Sequence, residues 1–113
     1  MEFKFSNYGQ ERDLVCTEQE REIFNIIVQI CKDAGLDTSM LFLVRKSDDY
    51  VSAVMRANNN YGDMDVARIK YTPRAKWIKT HPRFEKIKLS SPDDVWNQSE
   101  NIVSIYHFNE PYL

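Results

Sequence analysis

"VSAVMRANNNYGDMDVARIKYTPRAKWIKT", residues Val51 to Thr80, decides the fold class. Val51, Ala53 and Met55 alternate with Ser52, Val54 and Arg56, the period of two expected of a half-buried strand. Asn58-Asn59-Asn60-Tyr61-Gly62-Asp63 is the strongest turn signal in the chain, because Asn, Gly and Asp tolerate the backbone angles that tight turns need. A further strand is expected near Met64 to Tyr71, with Ala67, Ile69 and Tyr71 on one face and Arg68 and Lys70 on the other. Thr72-Pro73-Arg74 turns the chain again into Lys76 to Thr80. Short turns between alternating segments describe an antiparallel meander.

The same habit extends outward on both sides. Met40 to Arg45 is too short for a good helix and is joined to Tyr50–Ala57 through Ser47-Asp48-Asp49. Phe84 to Leu89 follows His81-Pro82 as a last strand. Upstream the period changes. Thr17-Glu18-Gln19-Glu20 is a capping box, and Ile23, Ile26, Ile27, Ile30, Cys31 and Ala34 recur at helical spacing before Gly35, which suits a helix end. Phe24 and Val28 widen that apolar face, so the helix at about 18–34 is expected deep against a sheet. Downstream, Ser91-Pro92-Asp93-Asp94 repeats the helix-start pattern, and Val95, Ile102, Ile105 and Tyr106 can form one face of a closing helix at about 92–107. The β-branched run Ile102-Val103-Ser104-Ile105 leaves a terminal strand as the alternative. Glu2 to Phe5 also alternates, as a short strand or a frayed arm. The fold class is therefore α+β: an N-terminal helix, an antiparallel β-meander of four to five strands and a C-terminal helix, in two layers.

At 113 residues, 1–113 reads as a single domain, and 42% hydrophobic against 28% charged residues suits a folded protein. The longest unbroken apolar stretch, Met40–Val44, is far short of the ~20 residues of a membrane span. No secretory signal is visible, and Cys16 and Cys31 belong to no CxxC pair, so a cytoplasmic setting with free thiols is expected.

Charge is the most informative property. The net charge of −2 conceals eight bases and one acid within residues 66–88, against seven bases and sixteen acids elsewhere. Arg68, Lys70, Arg74, Lys76, Lys79, Lys86 and Lys88, with Tyr71 and Trp77 as stacking rings, form the expected nucleic-acid-binding set if their strands are neighbours. A sheet with one wet face also places Lys and Arg outward, and this is the plain alternative. It does not account for the scarcity of acids in that stretch.

Metal and catalytic chemistry find less support. Cys16, Cys31, His81 and His107 are scattered singly, Cys31 on an apolar helix face, which speaks against a zinc site. Asn58, Asn60, Asp63 and Asp65 do not fit the calcium-loop template, since Gly62 is out of register and the twelfth position is Ile69. Neither a nucleophile elbow nor a paired histidine is present. Asp63 and Asp65 ahead of a basic strand keep a metal-dependent nuclease as a third reading.

The run Arg68-Ile-Lys-Tyr-Thr-Pro-Arg-Ala-Lys-Trp-Ile78, followed by Ser91-Pro-Asp-Asp-Val95, resembles a group of small α+β proteins of Gram-positive bacteria and their mobile elements. The likeness spans about residues 41–106. It implies a meander followed by a capped helix, brings no established activity, and adds an inhibitor or counter-defence role as a possibility. The expectation is thus a non-enzymatic binding protein without a cofactor. Its partner is nucleic acid or a charged protein, it has no membrane association, and its polarised charge favours self-association.

Overall fold

The computed structural model describes residues 5–7, 15–45, 47–56, 62–80 and 83–112. A six-stranded sheet carries strands β1 (Phe5–Asn7), β2 (Leu41–Arg45), β3 (Val51–Arg56), β4 (Asp63–Tyr71), β5 (Lys76–Thr80) and β6 (Lys86–Lys88), in chain order across the sheet. Strands β2 to β6 are the expected five-stranded antiparallel meander. β1 adds to the β2 edge in parallel, pairing Phe5 with Leu43 and Asn7 with Arg45. Of the N-terminal strand read at residues 2–5, Phe5 is the first residue of β1, and residues 2–4 lie outside the described part.

Helix α1 (Glu18–Asp33) begins and ends where its local signals place it. The Thr17 hydroxyl accepts from the Glu20 amide at 3.1 Å, and the Glu20 carboxylate accepts from the Thr17 amide at 2.8 Å. At the other end Ala34 is the cap residue, and Gly35 follows it in the left-handed region at φ +77°. The Gly35 amide donates to the Lys32 carbonyl and the Leu36 amide to the Cys31 carbonyl, a Schellman closure of the helix end.

The chain closes with a 3-10 helix, Pro92–Gln98, running into α2 (Ser99–Asn109). The Asp94 carboxylate accepts from the amides of Ser90 and Ser91 at 2.7 and 3.2 Å, so the expected cap grammar is realised. The terminal-strand alternative for residues 102–105 does not hold. Ile102, Ile105 and Tyr106 are buried together against α1 and the sheet, and that shared burial overrides the β preference of the run. The Tyr106 hydroxyl donates to the Asp37 carbonyl at 2.8 Å, fixing α2 to the connection after α1.

Both helices lie on one face of the sheet, giving two layers. The core joins Ile23, Phe24, Ile27 and Ile30 of α1 to Leu41, Leu43, Val51, Ala53, Met55, Ala67, Ile69 and Ile78 of the sheet. Glu20 locks the layers together. Its residue is 3% exposed, and its second carboxylate oxygen accepts from the Tyr71 amide at 2.8 Å while the Thr17 hydroxyl donates to the Tyr71 carbonyl at 2.8 Å. The capping box thus ends a helix and holds the end of a strand with the same atoms.

Candidate nucleic-acid interface

Cross-strand register places the basic residues. Arg68 on β4 is paired with Lys79 on β5, which is paired with Lys86 on β6. The next row along the strands is Lys70, Trp77 and Lys88. Paired residues share a face in an antiparallel sheet, so these six side chains belong to one side, opposite the row Ile69, Ile78 and Ile87 that faces the helices. No described helix packs on that side. Neighbouring strands lie about 4.8 Å apart, so the Arg68–Lys79–Lys86 row brings three cations within roughly 10 Å.

The remaining members of the expected set fall elsewhere. Lys76 is paired with Tyr71 one residue out of step with Trp77, so both alternate to the helix side, with the Lys76 ammonium 5.3 Å from the Tyr71 ring centre. The Tyr71 hydroxyl donates to the Ser90 carbonyl at 3.3 Å. Arg74 sits in the exposed turn between β4 and β5. Five cations of the set therefore share the side away from the helices instead of seven, and on that same side Phe42, Val44, Ser52 and Val54 are buried. Trp77 is on that side but only 6% exposed, with the Lys79 and Lys86 ammoniums 4.6 and 5.8 Å from its ring and Tyr50 at 6.2 Å. It is the floor beneath the lysines, and a base could stack on it only after they part.

Among the described residues, two carboxylates reach the patch from outside the basic stretch. Asp49, in the turn before β3, meets the Lys70 ammonium at 2.6 Å. That hydrogen bond, with the charges of Lys70, Lys79 and Lys86, lowers the Asp49 pKa below the ordinary aspartate range. Asp65 stands 3.7 Å from the Arg68 guanidinium. On a regular strand, residues three apart point to opposite sides. Here Ala53 pairs with Ala67 while the next residue, Val54, pairs with Asp65, so β4 holds one extra residue at Val66. This bulge turns Val66 into the core and returns Asp65 to the side of Arg68. Sequence reading could not place it, because Val66-Ala67 carries no glycine or other local mark.

The acids considered for metal chemistry are engaged by guanidinium groups. Asp63 accepts from Arg56 through both carboxylate oxygens, at 2.8 and 3.1 Å, and Asp65 faces Arg68. Among the described residues no three His, Cys, Asp or Glu side chains form a metal-sized group. Asn58, Asn60 and His81 lie outside the described residues. His107 faces Glu110 at 3.2 Å on the exposed side of α2.

The charge asymmetry of the sequence becomes an asymmetry of layers. Residues 63–88 hold eight bases and three acids, whereas residues 18–37 and 90–112, the helices with their flanks, hold nine acids and two bases. Among the described residues, no helix is long and apolar enough to cross a membrane. The molecule is defined at this level as a two-layer α+β protein with a cationic outer sheet face. Comparison with known protein families, curated proteins and solved structures gave no match, so its fold and site are read from its own residues.

Proposed function

We propose that this protein acts by binding, and that its ligand is single-stranded nucleic acid held by its phosphates across the outer face of β4, β5 and β6. The observation that carries the reading is the cross-strand row Arg68–Lys79–Lys86, flanked by Lys70 and Lys88, on a side where no described helix packs. Lys79, Lys86 and Lys88 have no ion-pair partner among the described residues, so their charge is available to a polyanion. With Trp77 covered, phosphate contact rather than base stacking supplies the affinity, and sequence preference is weak.

The test is anisotropy of a labelled single-stranded oligonucleotide over a salt series. Three to five neutralised phosphates give a log–log slope of roughly −2 to −3.5, at about 0.7 per contact. A Lys79→Glu/Lys86→Glu double variant should lose the binding. Absence of salt-dependent binding by the unaltered protein at low ionic strength would remove the reading. The Lys70–Asp49 pair is a carboxylate already seated on this face, and it favours as second reading an acidic protein partner. Competition by polyglutamate but not by oligonucleotide selects that alternative.

A further inference from the structure

The β4 end of the cationic row is chemically unusual. Arg68 carries five N–H donors in a rigid plane. Its guanidinium carbon lies 4.0 Å from the centre of the Phe84 ring and 5.1 Å from that of Tyr50. Among the described residues, the carboxylate that faces it is Asp65, with an oxygen 3.7 Å from one terminal nitrogen, beyond hydrogen-bonding reach. The Arg68 Nε is buried with no hydrogen-bond partner. So is the hydroxyl of Ser52, which is fully buried and is the cross-strand partner of Arg68 on β3. These are two unmet polar groups on one strand pair, and each such group asks for an explanation besides stability.

Phe84 adds an independent sign. Its backbone lies at φ +53°, the left-handed region that a bulky side chain rarely occupies. Its amide donates to the Thr80 carbonyl at 2.8 Å, tying Phe84 to the end of β5 with its ring over Arg68. Rings on either hand restrict the guanidinium, and with the Arg68 side chain 32% exposed its terminal nitrogens are the donors that an acceptor can reach. A flexible ammonium gains nothing comparable.

We infer that Arg68 is the anchoring residue of this face: a guanidinium fork, held in place by Phe84 and Tyr50, that takes one phosphate group of the ligand in a bidentate grip with Lys79 beside it. The inference rests on the proposed nucleic-acid reading and adds its anchor. A phosphate matches the fork in geometry and the neighbouring lysine in charge. The other cations of the row add charge without orientation. Arg68 and Lys79 are thus unequal, although the sequence presents them as two more bases in a basic run.

The experiment compares charge-conserving variants. Arg68→Lys keeps the charge and loses the fork. It should weaken oligonucleotide binding at least tenfold with an unaltered salt slope, while Lys79→Arg binds as tightly as the unaltered protein. Phe84→Gly relieves the strained backbone, so the fold should persist, checked by thermal unfolding, while binding weakens several-fold because the fork is no longer held. In parallel, the Arg68 Nε–H resonance is followed by NMR on addition of a single-stranded oligonucleotide, of inorganic phosphate, and of polyglutamate. A shift with the first two supports a phosphate grip, and a shift with inorganic phosphate alone assigns the fork to a free phosphate and removes the nucleic-acid reading. A shift with polyglutamate alone overturns the phosphate assignment. Equal oligonucleotide affinity of Arg68→Lys and the unaltered protein overturns the anchor and leaves the broader reading standing, whereas no response to any ligand overturns both.

Discussion

Replacing Glu20 by alanine should destabilise the protein more than any other substitution of a charged residue. Its two carboxylate oxygens accept from the amides of Thr17 and Tyr71, both at 2.8 Å, in a residue only 3% exposed. Hydrogen bonds to a charged group contribute roughly 1.5–3 kcal/mol each, so losing two costs about 3–6 kcal/mol. Relief of the buried carboxylate's desolvation and the better helix propensity of alanine offset part of this, leaving a net loss of about 2–4 kcal/mol. For a denaturant slope near 2 kcal/mol per molar, the urea midpoint falls by about 1–2 M. Glu20→Gln keeps one acceptor and should lose about half as much. Hydrogen exchange supplies the local readout: the Tyr71 amide, protected in the unaltered protein, should exchange rapidly in Glu20→Ala. A midpoint that moves by less than about 0.3 M, with the Tyr71 amide still protected, would refute the claim that one carboxylate holds the two layers in register.

Other expectations concern the patch, the helix end and the core thiol. Asp49→Asn releases Lys70, so oligonucleotide binding should tighten and the salt slope should steepen by about 0.7, measured by anisotropy. Gly35→Ala should cost about 1–2 kcal/mol by urea unfolding, because φ is +77° while nothing lies within 4 Å of the added methyl, so backbone strain alone acts. Cys31 is 1% exposed and burial pushes its thiol up to about 11, so it should resist alkylation at pH 8 until the protein unfolds, followed by mass spectrometry. Its raised pKa stabilises the fold below the thiol's ordinary value of 9.0, and that contribution is lost as pH rises through about 11.

What could be read from the sequence was local. The Thr17–Glu20 box, the Gly35 stop and the Ser91–Asp94 cap each depend on residues within a few positions, and all appear where expected. The alternation of Ala67, Ile69 and Tyr71 against Arg68 and Lys70 also holds, because two-residue periodicity is enforced by the pleat. What could not be read was set by distant contacts. Lys76 and Lys79 look alike in sequence, yet the register of β5 on β4 sends them to opposite sides. Trp77 looked like an open ring, but its cover comes from a neighbouring strand and from Tyr50. Asp49 reaches Lys70 from 21 positions away, through a turn whose only visible property was its polarity. Arg68 was one base among eight until its aromatic neighbours and its unmet Nε set it apart.

The parallel seating of β1 on β2 bears on how the molecule assembles. Each of the five other strands pairs with a neighbour in the chain across a short connection, so these pairs close quickly with little loop entropy to overcome. Phe5 meets Leu43 across a connection that includes all of α1, so this pairing carries the largest loop-closure cost in the sheet. An edge strand on so long a connection is the piece whose place the same segment of a second copy can take, so exchanged arms are the route by which two molecules would pair.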